Sequence, residues 1–103
     1  MIARIWRGWT AGDTADDYEA HLHEVALPQL AASDGNLGAY VLRRPSADGV
    51  EFMSVSLWLS VEALGVLAGS AAPEEHRLLV GRQTIPARWE LVANLDFRLA
   101  AAA

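Results

Sequence analysis

Three kinds of side chain in this sequence suit chemistry near neutral pH: imidazole, indole and small hydroxyls. The imidazoles are His21, His23 and His76, and histidine is the residue whose proton affinity lies closest to neutrality. His76, in Glu74-Glu75-His76-Arg77, reads either as an exposed helix residue beside two acids or as a general base touching substrate; it is the candidate base. His21 and His23 stand two apart, so a helix turns them to different faces. His21 goes with Tyr18 and Val25 towards the core or its rim, and His23 towards solvent. No histidine pair has metal-ligand spacing on one face, and His23-Glu24 lacks the second histidine of H-E-x-x-H, so no metal is expected. Trp58 is a core ring at a strand end or, through its N–H, a donor to a substrate oxygen. Ser54 and Ser56 share its strand parity and make room beside it, but neither has the neighbours of a nucleophile. Arg4 and Trp6 share one parity of the first strand; if that face meets the helices, Arg4 is a candidate anion-binding group.

The elements that position these residues follow from periodicity. Residues 2–9 alternate as a strand with neither face cleanly polar. Thr14 suits an N-cap, with Asp16 and Asp17 in the first turn, where the helix dipole favours anions. Tyr18, Leu22, Val25 and Ala26 recur at helical spacing over 14–26, and Pro28 is expected to break or kink that helix. Residues 33–36 form a loop. Residues 37–45 and 50–59 are strands joined by the hairpin Ser46-Ala47-Asp48-Gly49, with Gly49 at positive φ. Ser60 caps a helix over 61–68 that ends at Gly69, and Pro73 opens a short helix through Leu79. A last strand of about twelve residues begins near Pro86, with Ala87, Trp89, Leu91, Ala93, Leu95 and Phe97 on one parity. The order strand, helix, strand, strand, helix, strand is the ferredoxin-like split βαβ arrangement, an α+β fold with helices on one face of an antiparallel sheet.

In the third strand both faces are apolar: Phe52 and Trp58 on one, Met53, Val55, Leu57 and Leu59 on the other. A short chain covers one sheet face with its own helices and needs something else for the other. A homodimer packed sheet to sheet is the expected answer.

The 103 residues suit one domain over 1–99, with 100–103 an uninformative tail. A net charge of −5 disfavours nucleic acid and an anionic membrane surface. No cysteine means no disulfide and no thiolate chemistry. No apolar run approaches bilayer length and the first residues are too short an apolar stretch for a signal peptide, so a cytoplasmic protein is expected.

The run Leu57-Trp58-Leu59-Ser60-Val61-Glu62-Ala63-Leu64 resembles the strand-end pattern W-x-S-x-E-A of the antibiotic biosynthesis monooxygenase domain family. The opening Met1-Ile-Ala-Arg-Ile-Trp, the Gly35-Asn36-Leu37-Gly38 entry to the second strand and the closing Trp89-Glu90-Leu91-Val92 extend the resemblance over nearly the whole chain. It implies a dimeric α+β barrel. Members include cofactor-independent monooxygenases of aromatic polyketides, haem-degrading oxygenases, cyclases and isomerases. Trp58 matches their pocket tryptophan. Ser54 stands where the polyketide oxygenases often carry asparagine, and Leu64 where some carry an aromatic. His76 matches the histidine of the haem-degrading branch, whose first-strand asparagine has no counterpart in residues 1–10.

Oxygenation without a cofactor makes a definite demand. Ground-state O2 reacts poorly with closed-shell molecules, so the substrate must supply electrons as a phenolate or enolate. The protein then needs a base, donors for the anion and a dry pocket. The resemblance therefore implies a small apolar aromatic substrate, O2 and no organic cofactor or metal. His76 and Trp58 would be catalytic, and Ser54, Ser56, Trp6, Arg4 and His21 would contact substrate. A haem-binding or haem-degrading oxygenase and a non-catalytic dimeric ligand-binding domain are the alternatives.

Overall fold

The computed structural model describes residues 1–60, 62–63 and 87–103. The helices expected over 61–68 and 73–79, and with them His76, lie outside the described residues apart from Glu62 and Ala63. Ser60 begins that segment as expected: its Oγ accepts the Ala63 N–H at 3.1 Å, an N-cap bond.

Four strands, β1 (Ile2–Thr10), β2 (Asn36–Ser46), β3 (Gly49–Trp58) and β4 (Ala87–Asp96), form one antiparallel sheet in the order β2-β3-β1-β4. This is the ferredoxin-like order, with the first and third strands central. Among the described residues the helical segment between β1 and β2 packs on one face. There Ile2, Arg4, Trp6, Gly8 and Thr10 of β1 pair with Trp58, Ser56, Ser54, Phe52 and Val50 of β3, and all but Val50 are buried. Tyr18 meets Phe52 edge-on, ring centres 5.5 Å apart. The alternation read from the sequence thus fixes which side of each central strand faces the helix.

The helical segment departs from expectation at Pro28. The chain does not break there. α1 (Ala15–His21) runs into a π turn (Leu22–Ala26), and α2 (Leu27–Ala31) carries on through the proline. Proline lacks the N–H that an α-helix would use at that position. One residue earlier the Leu27 N–H already reaches back five residues to the Leu22 carbonyl, so the ladder widens before the proline arrives. The same widening explains the buried stripe. Tyr18, Leu22, Ala26 and Leu30 recur every four residues and are all buried, a spacing that would drift around a regular α-helix. Val25, expected on that stripe, is instead 38% exposed. Thr14 sits at the cap position, but its hydroxyl bonds the Ala11 carbonyl at 3.2 Å instead of capping the helix.

β4 also departs from its expected simple alternation. Trp6 pairs with Leu91 and Ile5 with Ala93, so the register steps by one residue at Val92. The bulge reverses parity along the strand. Asn94 therefore pairs with Arg4 on the helix-facing side, and Leu95 pairs with Ala3 on the other. The strand ends at Asp96, shorter than the twelve residues expected, leaving Phe97 tied by its N–H to the Met1 carbonyl at 2.8 Å.

The β2–β3 hairpin turns through Ala47-Asp48 with Gly49 at φ +146°, and a Cβ at Gly49 would run into the Thr10 carbonyl. Gly49→Ala is expected to lower the unfolding free energy by about 1–3 kcal/mol through strained backbone and the clash together. Chemical denaturation checks this; an unchanged midpoint would show that β1 yields there.

Candidate functional site

The helix-facing side of the sheet holds two apolar clusters. One joins Trp6, Ala15, Tyr18, Leu22, Ala26 and Phe52; the other joins Ile2, Leu30 and Trp58. Between them in register runs a polar stripe: Ser54 and Ser56 on β3, Arg4 on β1 and Asn94 on β4. Ser54 and Ser56 are 0% exposed and Arg4 is 1% exposed. Burying polar groups in an apolar layer is costly unless they are bonded, so the partners of each define the site.

Trp58 Nε1 donates to Ser56 Oγ at 2.9 Å, two residues back along the same strand. This bond holds the indole against Ile2, Leu30 and Ala39, and its N–H is thereby engaged within the protein. Arg4 Nε donates to Asn94 Oδ1 at 3.0 Å. Arg4 thus lies on the inner face, as the candidate anion-binding reading requires, and not at a solvated edge. Ser54 Oγ is buried with no hydrogen-bond partner among the described residues. The structure therefore brings together Arg4, Trp6, Ser54, Ser56 and Trp58. It adds Asn94, which simple alternation assigned to the other parity and only the bulge delivers.

His21 lies half-buried on the helix with its ring centre 5.9 Å from that of Tyr18, and His23 is exposed. No group of three or more histidines or acids suited to a metal ion occurs among the described residues, and no described helix is long and apolar enough to cross a membrane. A groove of about 350 Å³ separates the helix from the β2 edge. Its rim is ionic: Arg43 pairs with Asp16 at 2.9 Å and with Glu19 at 3.4 Å. The hydrogen bond that Arg43 donates to the Asp16 carboxylate is the main influence raising the Arg43 pKa.

The opposite side of the sheet is mainly apolar. Ala3, Ile5, Met53, Val55 and Leu57 are half-exposed, while Tyr40 and Leu42 are exposed at 61% and 56%. One end of this face is charged. Glu51, buried by its neighbours, accepts from Arg44 Nε at 2.9 Å and from Arg7 Nε at 2.7 Å, and the Arg7 guanidinium lies 5.2 Å from the Trp9 ring centre. Sequence reading passed over Glu51. Its signal was an acid sharing parity with an arginine on each neighbouring strand. The hydrogen bonds from Arg44 and then Arg7 hold the Glu51 carboxyl below the ordinary glutamate range. A carboxylate with a depressed folded-state pKa contributes stability above its unfolded pKa and loses it as pH falls through the folded value. Acid unfolding of wild type should therefore include a Glu51 contribution on the acid side of the ordinary glutamate value. Glu51→Gln should be less stable at neutral pH and show a flatter stability profile through that acid range. Parallel profiles would remove Glu51 from acid sensitivity.

No family model matches the chain, and no curated protein matches it. Solved structures match it almost end to end. The haem degrader MhuD from Mycobacterium tuberculosis, solved with two haems in its active site, is 20% identical; the match covers 99% of this chain and 100% of that one, with a TM-score of 0.69. SnoaB from Streptomyces nogalater, a cofactor-independent oxygenase, is 16% identical over 97% of each chain, with a TM-score of 0.60. A structure described as an antibiotic biosynthesis monooxygenase is 14% identical, covering 93% of this chain and 100% of its own, with a TM-score of 0.58. At these identities the likeness is one of fold: the chain has the α+β, ferredoxin-like fold of those proteins.

Proposed function

We propose that this protein is a small homodimeric oxygenase of aromatic, polyketide-type metabolites that works without metal or organic cofactor. The observation that carries the reading is a polar stripe on the helix-facing side of the sheet, with Ser54, Ser56 and Arg4 buried and Asn94 at its exposed end, flanked by the buried Trp6, Phe52 and Trp58. Such a face suits a flat apolar ring system bearing a few oxygens. The fold shared with SnoaB supports it.

In the proposed reaction a base removes a proton from a phenol or enol of the substrate, and His76 is the residue assigned to that step. The resulting anion is held near Arg4 and the serine hydroxyls, and its electrons pass to O2. A ring CH2 then becomes a carbonyl, with one oxygen atom retained and the other leaving as water. The protein supplies orientation, charge stabilisation and exclusion of bulk water. Cyclisation or isomerisation of the same substrate class would use the same anion without O2.

The test is anaerobic mixing with an anthrone followed by admission of air. Stoichiometric O2 uptake with quinone formation supports oxygenation. Conversion without O2 uptake indicates a cyclase or isomerase, and tight binding without conversion indicates a ligand-binding domain. Likeness to the haem degrader favours one second reading, haem binding. His76 would be the residue to hold the haem iron, and haem would supply the oxygen-activating chemistry. A Soret band that forms on haem addition and disappears in His76→Ala would support that reading.

A further inference from the structure

The hairpin that joins β2 to β3 closes over the end of β1. Gly49 permits this, because its backbone is pressed against the Thr10 carbonyl where a side chain has no room. Beside that contact lies a cleft of about 350 Å³, lined by Trp9, Thr10, Ser46, Ala47 and Asp48. It sits at the charged end of the sheet, away from the Ser54–Ser56 stripe and from the apolar rows of the other face. Three of its polar groups are uncommitted. Thr10 is 6% exposed, and its Oγ1 is buried with no hydrogen-bond partner among the described residues; native proteins keep few such hydroxyls. The Ser46 hydroxyl and the Asp48 carboxylate enter no hydrogen bond or ion pair among the described residues. Aspartate in a turn commonly bonds the turn backbone, and Asp48 does not. The fourth wall is the half-buried Trp9 ring, with the Arg7 guanidinium 5.2 Å from its centre.

We propose that this cleft binds a neutral sugar ring of the pyranose class, which stacks on Trp9 and bonds Asp48, Ser46 and Thr10 through its hydroxyls. The electron-rich face of an indole attracts polarised C–H groups, which a pyranose presents on its flat side. A carboxylate accepts strong bonds from sugar hydroxyls, while the serine and threonine hydroxyls both donate and accept. Charge decides against the other small ligands. Asp48 repels an anion. Arg7 already sets a cation on the Trp9 ring and Arg44 lies in the same charged row, so an ammonium would meet like charge. The volume is at the lower end of the usual range of about 300–1,000 Å³, which suits a single ring. The site is separate from the one that carries the proposed oxygenation, and neither reading depends on the other.

The experiment is a titration of ¹⁵N-labelled protein, followed by its amide and indole resonances, with the methyl glycosides of glucose, galactose and mannose. The Trp9 indole signal is identified by its loss in Trp9→Phe. At least one glycoside is expected to move the Trp9 indole and the amides of 46–49 saturably, with a dissociation constant of order millimolar, as befits so small a ligand. Asp48→Asn, a change at an exposed turn, is expected to weaken that binding about tenfold. Thr10→Val, which keeps the shape and removes the hydroxyl, is expected to weaken it about threefold or more. The resonances elsewhere report whether each variant keeps the native fold. Tetramethylammonium chloride is expected to leave the cleft signals in place. No saturable shift with any of the three glycosides at up to about 100 mM, far above a millimolar constant, would overturn the proposal. Shifts that Asp48→Asn and Thr10→Val leave unchanged would reduce it to loose stacking on an exposed ring and overturn the site. Saturable shifts with tetramethylammonium alone would make the cleft a cation site and overturn the sugar.

Discussion

Val55→Asp is expected to turn a dimer into a folded monomer. Wild type should scatter as twice the 11.1 kDa chain mass at micromolar concentration, and the variant as a single chain. Val55 lies on the sheet face away from the helix, between Tyr40 of β2 and Ile5 of β1. Rows of Leu42–Met53, Tyr40–Val55–Ile5–Ala93 and Leu57–Ala3–Leu95 make the surrounding surface apolar. A second copy packed sheet to sheet would bury that surface. An ordinary stable interface takes about 800 Å² from each partner. A two-fold axis through such an interface would place two aspartates in it, each an unpaired carboxylate costing several kcal/mol to desolvate, so the dissociation constant should rise by at least about 10³-fold. In the monomer the same side chain would be solvated, so far-ultraviolet circular dichroism should stay native. Wild type running as a single chain at micromolar concentration would sink the dimer, and a mixed-mass complex would point to a different protein on this face.

The parts of the fold that were legible in the sequence are those governed by period two and by turn chemistry. Alternation along 50–59 puts Phe52, Ser54, Ser56 and Trp58 on one side, and the structure buries all four together. Gly49 and Ser60 are single residues whose chemistry marks a hairpin and a cap, and each does so. What alternation and propensity could not show were the two places where the backbone adds or loosens a residue. A π turn ahead of Pro28 has no signature in local propensity, because it replaces one satisfied hydrogen-bond pattern by another. Its trace is the four-residue spacing of Tyr18, Leu22, Ala26 and Leu30, whereas ordinary helical spacing puts Val25 on the stripe and stops it before Pro28. The β4 bulge works likewise. Counting parity from Trp89 puts Asn94 on the wrong side, and the step at Val92 returns it to Arg4. The polar half of the site was thus only partly readable: Arg4, Ser54 and Ser56 followed from undisturbed strands, while Asn94 depended on an irregularity that pairing alone reveals.

His76→Ala is expected to lower oxygenation of a weakly acidic anthrone by about 10²–10⁴-fold, the scale of a lost general base. The argument is one of elimination combined with proton affinity. The stripe contains hydroxyls, an amide, a guanidinium and an indole. None of these accepts a proton from a phenol near neutrality: the guanidinium is always charged, and serine and indole bind a further proton only in strong acid. The stripe can therefore hold an anion but cannot make one, and the base must come from elsewhere. Among the described histidines His23 is exposed beside the groove at the β2 edge, and His21 lies against Tyr18 at the half-buried rim. We assign the step to His76, the remaining histidine of the sequence. A histidine base must be neutral to act, so the rate should rise with pH through one apparent pKa in the neutral region and level off above it. Substrate acidity provides the control. A phenol already ionised at the assay pH needs no base, so His76→Ala should approach wild type with that substrate and fail only with the less acidic one. Equal losses on both substrates would make His76 structural. A His76→Ala enzyme active on both, with a flat pH profile, would leave the buried stripe and its walls as the source of rate, acting by orientation and charge stabilisation. The larger effect should then follow from Ser54→Ala.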